Sequence, residues 1–274
     1  MALEPVSLAN SAQADAFLAL RPYENIYLRW LIESRATTHL GRTVCYLSRD
    51  EERAVDGVGY FGPQFVLSGA SDAALRDFEH VARSMPQPRM IVGPRLAIES
   101  WWEDLRLWHR VPRAVREHQP VYALTRATLR GSRADADVGQ ATAAELDEIA
   151  RESAAMIEHE TGIDPWVNHR EFRERTARVI RAGWWWRWRE QGALRFQCSI
   201  GAQLASTAQI QGVWTPVAQR EQGYATRALG ATCDHLLDQL PSLCLYVNDF
   251  NVPAVALYER LGFENVGEFM TLLF

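Results

Sequence analysis

Apolar and polar positions alternate along this chain with two different periods, and the changes between them mark the elements. In the second half, Leu146, Ile149, Met156 and Ile157 recur at helical spacing, which predicts an amphipathic helix. Thr142 and Glu145 precede it as a T-x-x-E capping box, and Gly162 follows as a stop. A second helix is predicted over residues 166–182. The pattern then becomes strand-like in "WWWRWR" (184–189), "LRFQCSI" (194–200) and "STAQIQGVWT" (206–215), with turn signals at Gln191-Gly192 and Gly201-Ala202. From Tyr224 the positions Ala225, Leu229, Leu236, Leu237 and Leu240 share one helical face, and Pro241 ends it. "LCLYV" (243–247) is a continuous apolar run, the mark of a strand covered on both faces. Strand, helix and apolar strand in that order predict a parallel crossover. Asn251 caps a last helix that stops at Gly262, and "EFMTLLF" (268–274) is a closing strand.

The first half reads as helices within residues 11–35, then strands in "TVCYLS", "VDGVGYFG" and "QFVLSG". A helix from Asp72 to Met85 follows with Ser71 as its cap. "RMIVG" is a short buried strand, Ala97 to Trp108 another helix, and "PVYALT" a strand. The most polar and least periodic stretch, "RATLRGSRADADVG" (126–139), separates two domains at residues 1–128 and 135–274. Both are expected to be α/β, with mixed sheets.

Composition narrows the chemistry. The 274 residues carry a net charge of −5, which argues against a nucleic-acid partner, since a polyanion is bound by a basic surface. All 29 basic residues are arginine, because the sequence contains no lysine. Schiff-base catalysis and a P-loop lysine are thereby excluded. Any phosphate must be met by arginine or by backbone N–H groups. The four cysteines are widely spaced and form no C-x-x-C pair, so neither zinc nor a disulfide framework is expected and a reducing, cytoplasmic setting is the simpler reading. His159-Glu160 does not complete H-E-x-x-H, so no metal is implied. No signal peptide or membrane-spanning run is expected from the pattern.

The segment "GVWTPVAQREQGYATRAL" (212–229) runs from a strand straight into a helix. A glycine-containing loop at that junction gathers unpaired N–H groups and the positive end of a helix dipole where a parallel sheet binds anions. Gly223 lets the backbone approach a ligand closely, and Arg220 adds a charged fork. A phosphate or pyrophosphate is the natural occupant, and a plain strand-to-helix turn is the structural alternative.

Arg220, Gly223 and Ala225 resemble the (Q/R)-x-x-G-x-(G/A) pyrophosphate loop of the GNAT superfamily of N-acyltransferases. Downstream, Asn251, Ala254, Leu257, Tyr258, Gly262 and Phe263 resemble that superfamily's N-x-x-A-x-x-L-Y-x-x-x-G-F signature. The resemblance covers roughly residues 135–274, in a tandem bacterial arrangement. The first half, which loosely parallels the second, would be a degenerate GNAT-like domain without a CoA site that helps shape an acceptor cleft. Glu221 and Gln222 depart from the pattern, standing where glycine and a basic residue are common.

The resemblance implies an acetyl-CoA-dependent N-acetyltransferase with direct attack by an amine in a ternary complex. Acetyl-CoA, as co-substrate, would be held by Val213, Trp214, Thr215, Arg220, Gln222, Gly223, Tyr224, Ala225, Thr226 and Asn251. Gly212 fits a bulge that turns an N–H, that of Val213, toward the thioester carbonyl, or it simply makes room for Trp214. Tyr258 stands where the family's tyrosine assists departure of the CoA thiolate, with a core role as the alternative. Its ordinary pKa of about 10 exceeds a thiol's by roughly 1.5, so full proton transfer is uphill by about 2 kcal/mol and hydrogen-bond donation is the expected contribution. Asn251 is also an ideal N-cap. The strand that often supplies a glutamate carries Gln209 and Gln211, so Glu158 and Glu160 are the candidate bases, with Asp164 nearby. In the tryptophan run, Trp184, Trp186 and Trp188 are expected on one face and Trp185 on the other, in core or domain-interface packing or as an aromatic wall for an amphipathic or cationic acceptor.

The acceptor is a small-molecule or peptide amine, with neither nucleic acid nor membrane as partner. Two other readings stay open: a different acyl or aminoacyl transferase on a tandem scaffold, or a non-catalytic acyl-CoA-binding sensor.

Overall fold

Folding follows the alternation of apolar faces closely. In a computed structural model, residues 3–39, 42–107 and 109–274 are described. In chain order the first elements are β1 (Glu4–Pro5), α1 (Ser11–Leu18), α2 (Ile26–Glu33), β2 (Thr38–His39), β3 (Arg42–Thr43), β4 (Cys45–Arg49), β5 (Val55–Phe61) and β6 (Phe65–Leu67). They are followed by α3 (Asp72–Ser84), β7 (Met90–Pro94), α4 (Arg95–Leu105) and β8 (Ala114–Thr125). The rest comprises β9 (Val138–Gln140), α5 (Leu146–Thr161), α6 (His169–Arg181), β10 (Trp185–Glu190), β11 (Ala193–Gln203), β12 (Thr207–Trp214), α7 (Tyr224–Leu236), β13 (Ser242–Tyr246), α8 (Val252–Leu261) and β14 (Glu264–Leu273). The chain is mixed α/β, as its pattern predicts. No helix among the described residues is long and apolar enough to cross a membrane.

Two compact units are formed, neither continuous in sequence. The first takes Met1–Tyr122, Tyr246–Val252 and Asn265–Phe274, and the second Ala123–Leu245 and Pro253–Glu264. Residues 246–252 and the closing strand, expected in the C-terminal domain, therefore lie in the first unit.

In the first unit β1, β4, β5 and β6 pair antiparallel in succession, β6 pairs parallel with β7, and β7 pairs antiparallel with β14, Leu272 opposite Ile91. One face of this sheet buries Leu18, Leu28, Leu31, Leu47 and Val58 under α1 and α2. The other buries Phe61, Phe65, Phe78 and Trp101 under α3 and α4. Ser71 caps α3 by accepting from the Ala74 amide at 3.1 Å. The helix expected from Ala97 begins at Arg95 and ends at Leu105, and its expected last residue, Trp108, lies outside the described residues.

In the second unit β9, β10, β11 and β12 pair antiparallel, and β12 pairs parallel with β13, Ala208 opposite Leu243. This is the predicted crossover, with α7 as its helix. The capping box is present: the Thr142 amide donates to Glu145 Oε2 at 2.8 Å. Gly162, at φ +69°, ends α5. β9 begins at the end of the polar segment 126–139 and runs to Gln140, and α7 stops at Leu236, earlier than Pro241. Trp185 packs with Ile149 and Ile180 under α5 and α6. Trp186 stacks on His235 of α7, and Trp188 meets Tyr224 of α7. Alternation along β10 thus sends Trp186 and Trp188 to one face and Trp185 to the other, and all three are engaged with the protein's own helices.

Candidate active site

The site in the second unit starts from an irregularity in pairing. Gln197 of β11 lies opposite Trp214 and Ser199 opposite Gln211. Cys198 therefore faces two residues, Gly212 and Val213, which is a bulge. Gly212 has φ +62°, the left-handed region that glycine occupies without a Cβ penalty. A Cβ there would lie 3.6 Å from both the Met156 methyl and Ser199 Oγ, so the bulge faces α5.

Past the bulge, a 3₁₀ turn (Val217–Gln219) leads to Arg220, and Gly223 at φ +76° is the N-cap of α7. The Gln219 and Arg220 amides are used within the turn, bonding the Pro216 and Val217 carbonyls at 2.8 and 3.3 Å. Among the described residues, the amides of Glu221, Gln222 and Gly223 bond no carbonyl outside regular elements. Those of Tyr224 and Ala225 precede the first bond of the helix, Arg227 N to Gly223 O at 3.2 Å. The loop therefore offers a row of donors at the positive end of a 13-residue helix.

Arginines ring this loop through aromatic contacts. The Arg220 guanidinium sits 4.5 Å from the centre of the Trp214 ring and donates from Nε to Thr215 O at 3.3 Å. Arg195 lies 5.1 Å and Arg227 5.2 Å from the Tyr224 ring, and Arg227 is also 4.7 Å from Trp188. The Tyr224 hydroxyl donates to Glu190 Oε2 at 3.1 Å, and Arg195 pairs with the same carboxylate oxygen at 3.5 Å. Arg195 and Arg227 were not among the residues picked out from sequence. Arg227 carried a local signal, one helical turn beyond Gly223, whereas Arg195 joins the group only through the fold. Glu221, by contrast, places a carboxylate on the loop at φ +63°.

On the α5 side, the Trp214 indole Nε1 donates to Glu152 Oε2 at 2.9 Å, and the His159 ring meets Trp214 edge-on at 5.8 Å. Glu152 lies on the polar flank of the predicted helix, where nothing in the spacing marks it. Beside Trp214, Gln197 is fully buried with both amide atoms unpartnered, as is the buried Thr215 Oγ1.

Tyr258 is buried on α8, its ring 5.7 Å from that of Phe263. Burial pushes its phenol above the ordinary tyrosine value, and the charge of Glu160 raises it further. The fold thus brings Tyr258 and Glu160 into electrostatic reach of one another, whereas Glu158, as exposed as Glu160, is not among the charges that act on Tyr258. Gln209 and Gln211 lean over Gly201. Val213, Thr215, Gln222, Ala225 and Thr226 all lie along the bulge and loop of this unit, and Asn251 falls in the first unit. The residues present suit a CoA diphosphate: bare amides, a glycine with open space above it, and three arginines.

Residues 156–263 match the family model described as Acetyltransferase (GNAT) family, and residues 45–149 match DUF4081, a domain of unknown function. A search of curated proteins finds no match. Among solved structures, the chain is similar to a GNAT-family acetyltransferase from Colwellia psychrerythraea, at 12% identity, TM-score 0.62 and full coverage of both chains. A GCN5-related N-acetyltransferase from Sphaerobacter thermophilus aligns at 16% identity and TM-score 0.60, covering 98% of this chain and 94% of that one. A tandem GNAT protein from the clavulanic acid biosynthesis pathway aligns at 13% and 0.58, covering 99% and 98%. At these identities the neighbours bear on fold alone, and they agree with the family match in sequence: the chain carries a GNAT acetyltransferase domain at residues 156–263, preceded by a DUF4081 region.

Proposed function

We propose that this protein transfers an acetyl group from acetyl-CoA to an amine, by direct attack with both substrates bound. The observation that carries this is the row of free amides at the start of α7, with Arg220 beside it and Gly223 as the helix cap. Acetyl-CoA brings the acyl group already activated as a thioester. The protein's tasks are then to hold the carrier, to stabilise charge, and to manage two protons.

The loop amides and Arg220, with Arg195 and Arg227 around them, meet the diphosphate and the remaining phosphate. Val213, turned by the bulge, donates its N–H to the carbonyl oxygen as charge develops there. Tyr258 donates a hydrogen bond to the departing sulfur. Burial and Glu160 together keep the phenol protonated through the neutral range, so it arrives as a donor, while its raised pKa makes complete proton release to sulfur unfavourable. Glu160 is the better candidate of the two glutamates for accepting the amine's proton, because its charge acts at Tyr258. The acceptor is a small-molecule or peptide amine. A cytoplasmic setting fits four buried cysteines, none of them in a disulfide.

The test is release of CoA thiol over a panel of amines, amino acids and peptides, run with the native chain and with Tyr258→Phe. Amine-dependent release that drops at least tenfold in the variant supports the reading. Tight CoA binding with no release for any amine, unchanged in Tyr258→Phe, would instead make the protein an acyl-CoA sensor.

A further inference from the structure

The first unit contains a cavity of about 510 Å³ with no role in the reaction above. It opens where α1 gives way to α2, beside the carboxyl ends of the parallel strands β6 and β7 and the first turn of α4, and is lined by Phe17, Leu20, Asn25, Asp56, Gly69 and Leu96. Within its own unit this place corresponds to that of the Gly223 loop in the other, at the exit of the parallel pair. Its chemistry is opposite.

Two residues of its lining, Asn25 and Asp56, each hold a buried side-chain oxygen without a partner. Asn25 is 3% exposed. Its Nδ2 donates to the Leu18 carbonyl at 3.0 Å, which fixes the amide orientation and leaves Oδ1 bare. Asp56 accepts from the Ser71 hydroxyl at Oδ2, 2.6 Å, and its buried Oδ1 is likewise without a partner. Buried acceptors left unmade are costly, and both are satisfied by N–H donors. Arg21, also on the rim, is engaged by Glu24 at 3.4 Å. The first turn of α4 favours negative charge through its dipole, yet an anion has no donor to offer either oxygen. Phe17, Leu20 and Leu96 supply an apolar wall, the two leucines being largely exposed.

We propose that this cavity binds an organic ammonium ion, a protonated amine whose N–H groups bridge Asn25 Oδ1 and Asp56 Oδ1 and whose apolar body lies against Phe17, Leu20 and Leu96. The N-terminal unit is then a second ligand site, selective for cations, in a protein whose other unit takes an anionic carrier.

Calorimetric titration of the full chain, without acetyl-CoA, with 2-phenylethylammonium, the neutral 2-phenylethanol and the anion phenylacetate tests this. The ammonium ion should bind at least tenfold more tightly than the other two. Asp56→Asn, which keeps an acceptor for Ser71, should weaken it about tenfold, the usual worth of a charge-assisted hydrogen bond. Gly69→Leu fills the cavity from a position where an added Cβ has nothing within 4 Å. It should remove the binding event while leaving the melting temperature of the unliganded chain unchanged. Equal affinity for all three probes, no binding at millimolar concentration, or an ammonium signal that survives Gly69→Leu overturns the proposal. Because no acyl transfer is read, failure here is separate from failure of the acetyltransferase reading.

Discussion

Glu152 holds the indole of Trp214, Nε1 to Oε2 at 2.9 Å, and so ties the second turn of α5 to the last residue of β12, immediately after the bulge at Gly212. The bond fixes the ring on which Arg220 rests and, through it, the exit angle of the loop. A hydrogen bond to a charged group is worth about 1.5–3 kcal/mol when buried, but this one is only part-buried, so about 1 kcal/mol is expected for Glu152→Ala in chemical denaturation. Glu152→Gln keeps an acceptor for the indole. If Glu152 only positions Trp214, the glutamine variant should retain kcat/KM within about twofold while the alanine variant loses about tenfold. Equal losses in both would instead mark Glu152 as a proton acceptor in the reaction.

Arg220 has two partners to satisfy, the Trp214 ring at 4.5 Å and the Thr215 carbonyl at 3.3 Å. Stacking on the ring is worth about 0.5–1 kcal/mol, and a phosphate contact adds more because it is charge-assisted. Arg220→Gln should raise KM for acetyl-CoA by about tenfold or more with kcat little changed, and should weaken the dependence of KM on salt. Arg220→Lys, with charge but no planar fork, should fall between. A change confined to kcat would remove Arg220 from carrier binding.

Burial also sets how the fold responds to alkali. The thiols of Cys45, Cys198 and Cys244 are pushed up to about 12 by burial, while an unfolded thiol titrates near 8.5. The folded chain thus keeps protons that the unfolded chain releases. This contribution to stability is fully present below about pH 8.5 and is lost as pH rises toward 12, by up to about 1.4 kcal/mol per pH unit for each thiol. The phenol of Tyr258, raised in the same sense, adds to the loss above about pH 10. Denaturant midpoints at pH 7, 8.5 and 10 should be nearly level between the first two and fall sharply at the third. A level curve to pH 10 would contradict the burial of these groups.

What the sequence made legible was local. The Thr142–Glu145 capping box, the Gly162 stop, the Gly212 bulge and the Gly223 cap each depend on a few neighbouring residues, whose turn and cap chemistry can be read directly. The partner of the last strand could not be read that way. "EFMTLLF" is equally apolar whichever strand it joins, and its pairing with β7, some 180 residues away in sequence, is settled by packing rather than propensity. The same holds for Glu152, Arg195 and Gln197, ordinary polar positions on their own elements until β11 and α5 bring them to Trp214 and Tyr224. The tryptophan run was legible in its alternation and in its packing role but not in its partners, because Trp185, Trp186 and Trp188 meet α5, α6 and α7 only in the fold.

Glu221 is the one loop residue whose backbone conflicts with its side chain. At φ +63° it occupies the left-handed region, at a cost of about 1–2 kcal/mol for a residue with a Cβ. Glu221→Gly removes that strain, but glycine also enlarges the unfolded ensemble by about 0.4–1 kcal/mol, so the two terms largely offset one another and stability should move by less than about 1 kcal/mol. The charge is not offset. A carboxylate near a diphosphate in water-like surroundings opposes it by about 1 kcal/mol at 6 Å or so, which is roughly fivefold in affinity. The variant should therefore bind CoA about five times more tightly at low salt, with nearly the native melting temperature, and the gain should shrink as salt is raised. Glu221→Gln separates the two contributions, since it removes the charge and keeps the strained backbone: affinity should rise almost as far as in the glycine variant. If only glycine improves binding, strain rather than charge limits the loop, and if neither does, the diphosphate does not sit at these amides.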